Sequence, residues 1–579
     1  MTVSHPQEVE LKLALPPWQA EAFLKRMARR RVVPVEQELV TRYFDTPDFA
    51  LSAAGVALRV RRTLKGASTL KGTSTGRRWL QTLKTEGERQ GGLSKRAEYE
   101  MSIPRGTPDW DRFPAEALAY VPQALREQVG PVFETRFTRT AWLIKGKGGA
   151  QIEVALDVGA VASGERSQPI CEIELELKAG QPDALFALAL EWAGTFDCLP
   201  FDVSKAERGV QLAHGLEAAP VKAVSLTLDP GMSVESGFVA IVQACLAQFQ
   251  ANLPGVLGHL PAAGCTPPLP NPDEATKQST KSVNGQVAVY PPQAGEHPEG
   301  HEGANAGPPP IDDIEYVHQA RVALRRLRAA LRLFRRVCVL PDDVMDGLRT
   351  LAAALGPSRD WDVLCSETLP AIAPHYPDPP RWQAGMEVLQ ENRERVRAAM
   401  RSALAEARPG RWLLEMQRWL LLHGWRRVPT GEMVPETQRL EQLSLLEHWA
   451  RRALKQGHRR VKRGARTFAK LQPSERHALR IAIKRQRYAA EFFRTLFAGL
   501  PDGHTQRQAK YLATLREAQD SLGRANDARI AAELMAAAPP QTGPMAEFVR
   551  GWLAATLAEA GDEESARLMR DFLDMRTYW

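Results

Sequence analysis

Across residues 9–177, apolar side chains alternate with polar ones in short runs separated by clusters of Gly, Pro and Ser. A period of two is the signature of β-strands with one oily and one polar face, so a strand-rich N-terminal region is expected. Beyond Pro220 the period lengthens, and Ala, Leu and Arg recur at helical spacing over residues 233–257, 317–336, 439–469 and 476–497. This predicts an almost entirely α-helical C-terminal region. Residues 261–313 interrupt it with a stretch rich in Pro, Gly and polar residues, which has too few apolar side chains to offset the entropy of ordering. Because helical spacing is already established at 233–257, the stretch is expected to be a disordered insertion inside the helical region. The domain boundary belongs at 216–230.

The polar faces of the strands are unusual in kind. In Glu8-Val-Glu-Leu-Lys-Leu, side chains Glu8, Glu10 and Lys12 share one face and Val9, Leu11 and Leu13 the other. The same design places together Arg59 with Arg61, Arg96 with Glu98 and Glu100, Glu153 with Asp157, and Glu172 with Glu174 and Glu176. Any one such run is what a half-buried antiparallel strand with a solvated face looks like. Five runs carrying carboxylates and arginines almost exclusively suggest a barrel turned inside out, with ionic side chains filling the lumen and helices at 17–30 and 182–193 covering the oily face. Clustered carboxylates need cations and clustered guanidinium groups need anions, so burying either set alone is costly. A complex of triphosphate with a divalent cation supplies both partners, since carboxylate oxygens suit Mg2+ or Mn2+ and guanidinium forks suit phosphate oxygens.

The ordered set Glu8-x-Glu-x-Lys12, Arg42-Tyr-Phe-Asp-Thr46, Leu58-Arg-Val-Arg61, Gln81-Thr-Leu-Lys84, Arg96-x-Glu-Tyr-Glu100, Arg139-Thr-Ala-Trp142, Glu153 to Asp157, Glu172 to Lys178 and Ser204-Lys205 resembles the CYTH domains of triphosphate tunnel metalloenzymes. The resemblance implies an eight-stranded antiparallel β-barrel tunnel with flanking helices over residues 1–215. It implies triphosphate binding by Lys12, Arg59, Arg61, Lys84, Arg139 and Lys205, and Mg2+ or Mn2+ held by Glu8, Glu10, Glu172 and Glu174 with Glu153 and Asp157 nearby. Glu8, Glu10 and Lys12 are the catalytic candidates, Glu10 among them placing the attacking water. Arg136 and Arg139 are three apart, so a regular strand aims only one of them inward, and Arg139 is the candidate.

In the helical region, His318, Arg321, Arg325, Arg328 and Arg332 share one helix face beside an oily face of Ala320, Leu324, Leu327, Leu331 and Phe334. Basic residues recur at matching offsets from His477, as Arg480, Lys484, Arg485 and Arg487, and the copies are followed by Leu355-Gly-Pro-Ser-Arg-Asp360 and Leu522-Gly-Arg-Ala-Asn-Asp527. Such duplication is similar to that of the CHAD domain, an all-α module of two duplicated helical bundles, here expected over residues 231–579 behind a 216–230 linker. The resemblance implies inorganic polyphosphate bound along a basic groove by His318, Arg321, Arg325, Arg328, His477, Arg480, Lys484 and Arg487.

A formal net charge of +8, from 76 basic and 68 acidic residues, agrees with an anionic partner without naming one. The six cysteines are far apart and form no metal-ligand or disulfide pattern. Neither a signal peptide nor a run of about 18 apolar residues is present, so a cytoplasmic chain without membrane partners is expected, and the polyphosphate binding that the CHAD resemblance implies allows association with polyphosphate granules. The reaction expected is hydrolysis of inorganic tripolyphosphate to pyrophosphate and phosphate. Related tunnels also host thiamine triphosphatases and class IV adenylyl cyclases that act on ATP, so fold alone leaves the substrate open. A polyphosphate-binding protein with a slow tunnel is the alternative from a different class. Nucleic-acid binding is the weaker reading, because no basic-aromatic platform accompanies the arginines.

Overall fold

The computed structural model describes residues 7–65, 79–258, 313–428, 430–497, 504–559 and 563–579. They form two compact units, one centred on Met1–Ala219 and the other on Pro220–Gly258, Asp313–Trp412 and Trp419–Trp579. The expected insertion at 261–313 lies, apart from Asp313, outside the described residues.

The first unit contains strands β1 (Gln7–Ala14), β2 (Val35–Asp45), β3 (Ala57–Lys65), β4 (Trp79–Lys84), β5 (Glu88–Gln90), β6 (Leu93–Ile103), β7 (Gly130–Lys145), β8 (Gln151–Ser163), β9 (Arg166–Ala179) and β10 (Leu199–Pro200). Eight of them close a ring in the order β1-β9-β8-β7-β2-β3-β4-β6, with β6 returning to pair with β1. Every pairing is antiparallel, and the short β5 and β10 attach to β6 and β1. Closure leaves no unpaired edge among these eight strands, and alternation then sends one face of each strand inward.

Outside, the oily faces are covered as their alternation requires. Leu11, Leu13, Ile173 and Leu175 are fully buried. A short turn at Pro17–Gln19 leads into helix Ala20–Ala28, whose Phe23 meets Trp142, Trp192 and Phe196 edge-on at centroid separations of 6.3, 5.1 and 5.5 Å. Trp192 comes from helix Asp183–Ala193. Elsewhere Phe113, Ala117 and Val121 pack with Leu58, Leu83 and Tyr99.

The lumen departs from the expectation that ionic side chains fill it. Leu39, Tyr43, Phe133, Phe137, Val161 and Ile170 form an apolar cluster packed against Ala206, Val210 and Leu212. These last belong to helix Lys205–Ala213, which packs into that end of the lumen. Strands β2 and β7 carry apolar residues in both phases, so alternation alone did not reveal which of them turn inward. Gly209 makes this packing possible: a Cβ there would lie 2.0 Å from the Phe133 ring.

The second unit is helical. Helix Val234–Leu257 is capped by Ser233, whose hydroxyl accepts from the Ser236 amide at 3.1 Å. The basic stripes lie on helices Asp313–Phe334 and Pro473–Phe492. The run expected at 439–469 is two helices, Glu436–Leu443 and Leu446–Arg466. They break because Ser444 turns extended and its carbonyl accepts from Val234, while the Leu446 amide donates to Met232, both at 2.9 Å. Residues 216–230 have almost no regular structure, yet the Val221 amide donates to Asn252 Oδ1 (3.0 Å) and that of Leu228 to Thr495 Oγ1 (2.9 Å).

Candidate functional site

The barrel encloses a cavity of about 1120 Å³ lined by Glu8, Glu10, Lys12, Arg59, Arg61, Lys84, Arg139, Glu153, Glu174 and Lys205. In a ring of eight strands the fourth neighbour lies across the lumen, so β3 faces β9 and β4 faces β8. Arg59, Arg61 and Lys84 therefore stand on the wall opposite Asp157, Glu172 and Glu174. Arg59, Arg61 and Lys84 gather on one side of the cavity, and on the other Asp157, Glu172 and Glu174 stand with Arg139, Lys205 and Lys12 among them.

On the acidic side, register places Asp157 beside Glu172 and Lys12 beside Glu174. Oxygens of Asp157, Glu172 and Glu174 lie within 4.8 Å of one another. Three hard carboxylate donors at that spacing fit a magnesium- or manganese-sized cation. Here their counter-charges are side chains. Arg139 forks onto Asp157 with Nε–Oδ1 2.8 Å and Nη2–Oδ2 2.7 Å, and also pairs with Glu174. Lys205 Nζ sits 2.7 Å from Asp157 Oδ2 and 2.9 Å from Glu174 Oε1, and pairs with Glu172. Arg208 pairs with Glu172, and Lys12 Nζ stands off at 3.7 Å from Glu174. Burial works against these charges, but Lys205, Arg139 and Lys12 hold the Glu174 carboxyl well below the usual range, and Arg139 and Lys205 lower that of Asp157.

Glu8 and Glu10 form a separate group. Arg96 donates to Glu8 at 3.2 Å and to Glu10 at 2.8 Å, while Lys84 Nζ lies 2.8 Å from Glu8 and 3.1 Å from Glu98. Arg59 meets Glu98 at 3.3 Å. Arg61 differs, because its only hydrogen bond among the described residues is to Thr41 Oγ1 at 3.3 Å, and no carboxylate there lies within ion-pair distance. Burial, then Arg59 and Arg139, push its guanidinium down to about 10, the mark of a cation lacking an anion. Glu153 stands apart from the acidic cluster, half-buried and opposite Glu176, with Lys178 at 3.8 Å. Arg136 pairs with Glu134 at 3.1 Å, whereas Arg139 meets the acidic cluster.

Sequence reasoning had not assigned roles to Tyr43, Arg96, Glu98 and Arg208. Arg96 and Glu98 were visible in phase on one strand, and Arg208 sits one helical turn after Lys205. Tyr43 lies inside the Arg42-Tyr-Phe-Asp-Thr46 motif, but as one aromatic among apolar neighbours it carried no sign of a role of its own. In the structure it stacks on Phe133 (centroids 4.5 Å apart), and although burial favours its neutral form, Arg59, Arg61 and Lys205 bring its phenol below the ordinary value.

In the helical unit the two basic stripes converge. Burial lowers the Lys484 ammonium to about 7, helped by Arg325, Arg480, Arg487 and Arg328. Residues of both stripes therefore share one positive field. Arg325, Arg328 and His477 are exposed, His318 and Arg321 partly buried. The repeats also agree in detail: Gly356 and Gly523 abut Arg321 and Arg480, with a Cβ placed 3.3 and 3.6 Å from their guanidinium nitrogens. Arg321 reaches Asp360 at 3.8 Å, and Asp527 raises the Asp360 carboxyl, as does the larger effect of burial. Arg487 is partly neutralised by Glu491.

Comparison with known proteins follows the same division. Residues 6–210 match the family profile of the CYTH domain and residues 302–536 that of the CHAD domain. An inorganic triphosphatase of Haemophilus influenzae is 32% identical over 215 residues, which are 36% of this chain and 55% of the relative. The chain thus spans about half the length of that curated relative. Among solved structures, the CHAD domain of Ricinus communis is 28% identical and covers 62% of this chain and 98% of its own, with a TM-score of 0.44. An adenylyl cyclase candidate from Hippeastrum with a dominant triphosphatase activity is 16% identical, covering 36% of this chain and 96% of its own, with a TM-score of 0.25. The chain belongs to the proteins in which a CYTH domain, here residues 6–210, precedes a CHAD domain, here residues 302–536.

Proposed function

We propose that the barrel hydrolyses inorganic tripolyphosphate to pyrophosphate and phosphate with Mg2+ or Mn2+, and that the helical unit binds inorganic polyphosphate. The observation that carries the first half is the opposition of the two walls. A triphosphate laid along the Arg59, Arg61 and Lys84 wall would meet cations, and Asp157, Glu172 and Glu174 are the residues that would hold a divalent cation. Arg61, with no carboxylate of its own, is the strongest candidate for a phosphate partner. When bound, the metal would polarise the phosphorus–oxygen bonds and lower the pKa of water. The chain's own part is positional: Lys12, Arg59, Arg61 and Lys84 fix the phosphates, and Glu10, buried near Lys12, orients the attacking water. The inorganic triphosphatase relative supports this reading. For the helical unit, support comes from the shared field of Arg325, Arg328, Arg480, Lys484 and Arg487, a gathering of cations that suits a polyanion.

The test is phosphate release from tripolyphosphate, thiamine triphosphate, ATP and long polyphosphate, with each metal, together with detection of cyclic AMP. Fast release from tripolyphosphate above the others is expected. Silence on every substrate with retained polyphosphate would leave a binding protein, and preferential turnover of thiamine triphosphate or ATP would reassign the substrate.

A further inference from the structure

The three carboxylates suited to a divalent cation already hold a cation of the chain's own, a singly charged ammonium. Lys205 Nζ lies against Asp157 and Glu174 at 2.7 and 2.9 Å and pairs with Glu172, the same three residues whose oxygens gather within 4.8 Å. The cluster carries no surplus negative charge: Asp157, Glu172 and Glu174 are met by Lys205, Arg139 and Arg208, with Lys12 shared between them and Glu10. A divalent cation added without an anion would leave its own charge uncompensated inside a buried lumen, which is costly.

Lys205 differs from the two arginines in its freedom to leave. It opens helix Lys205–Ala213, where the positive end of the helix dipole disfavours a cation, so its place is owed to the carboxylates. Its backbone is fixed by a capping box, with Ser204 Oγ accepting from the Glu207 amide at 3.1 Å and Glu207 Oε2 accepting from the Ser204 amide at 2.8 Å. The ammonium itself rides on a flexible four-carbon stem, 5.0 Å over the Phe137 ring. Arg139 by contrast is forked onto Asp157 by two bonds.

From this geometry we infer that Lys205 is the internal counter-ion of the metal carboxylates and exchanges them for the triphosphate when a divalent cation binds, so that cation and anion bind cooperatively. The inference rests on the proposed metal site and deepens it. Each ligand removes the obstacle to the other, since the cation frees the ammonium and the anion receives it.

Mn2+ binding to the full-length protein, read by electron paramagnetic resonance of the free ion, tests this without turnover. Wild type is expected to bind Mn2+ weakly alone and, with a non-hydrolysable imido analogue of tripolyphosphate and after subtraction of the Mn2+ that the analogue chelates in a protein-free control, on the order of 10-fold more tightly. Lys205→Met should bind Mn2+ alone more tightly than wild type and lose most of the gain from the analogue. Lys205→Gln provides the same comparison should the Met variant fail to melt cooperatively. Equal Mn2+ affinity of wild type and variants without the analogue, or a gain that survives the substitution, would overturn the inference. Failure of the triphosphatase reading looks different, because turnover is then absent while the Mn2+ coupling stays intact. Mn2+ that binds no form of the protein, with or without the analogue, overturns both.

Discussion

Arg61 shows how a single side chain reports function through what it lacks. Because its guanidinium is partly buried beside Arg59 and Arg139 without an acid of its own, Arg61→Ala relieves repulsion while removing a phosphate contact. The expected outcome is no fall in melting temperature, together with a rise in KM for tripolyphosphate of about 10- to 100-fold, as the loss of a charged hydrogen bond of ~1.5–3 kcal/mol implies. A lower melting temperature with unchanged KM would assign Arg61 a structural task instead. Lys484 makes a second prediction. Its ammonium, lowered to about 7, is charged below that pH and neutral above it, so polyphosphate should elute at lower salt at pH 8 than at pH 6. Lys484→Arg, which does not deprotonate in this range, should reduce the difference, leaving only what His318 and His477 contribute. At this scale the sequence was legible wherever strand phase fixes a side chain's direction, as for Glu8, Glu10 and Lys12. It was illegible where meaning depends on a partner from elsewhere: the absence of an acid beside Arg61 and the seat of Lys205 among three carboxylates arise from strands and a helix distant in sequence.

Among the elements, helix Lys205–Ala213 bears the closest fit. A side chain at position 209 would strike Phe133, so Gly209→Ala should cost about 1–3 kcal/mol in urea unfolding by lifting the helix from the apolar cluster. Activity should fall with it, since Lys205 rides on the same helix. Glu235 joins helix Val234–Leu257 to Glu436–Leu443 and the segment before it, accepting from Trp425 Nε1 at 3.0 Å, Arg426 at 2.9 Å and Arg439 at 2.6 Å. Burial opposes ionisation, but Arg439, Arg426 and Trp425 bring the Glu235 carboxyl down to about 2, below its unfolded value of 4.5. A depressed carboxyl stabilises the fold above the unfolded pKa, so this contribution should be lost as pH falls from about 4.5 toward 2. Glu235→Gln should flatten that part of the stability–pH curve measured by denaturant titration. Element boundaries followed the hydrophobic period well for Val234–Leu257. They failed at Ser444, where a backbone pairing with residues 232–234 overrides a continuous helical pattern.

For the whole molecule, the two units carry chemistries that the proposed function separates. Glu174→Ala should abolish metal-dependent phosphate release and leave polyphosphate retention on an affinity column unchanged; loss of both would end that division of labour. Duplication of the helical region was readable from offsets alone, and the matching approaches of Gly356 to Arg321 and Gly523 to Arg480 give it a physical basis. The apolar end of the barrel was not, and it has a consequence for traffic. With Phe133, Phe137 and helix Lys205–Ala213 filling part of that end, the cavity is narrowed there without being sealed, since its lining runs from Val35, Leu143 and Glu153 at one end of the barrel to Gly55, Glu86 and Gln211 at the other. Product held on the Arg59, Arg61 and Lys84 wall occupies the place that the next substrate needs, so pyrophosphate should compete with tripolyphosphate and slow each following turn.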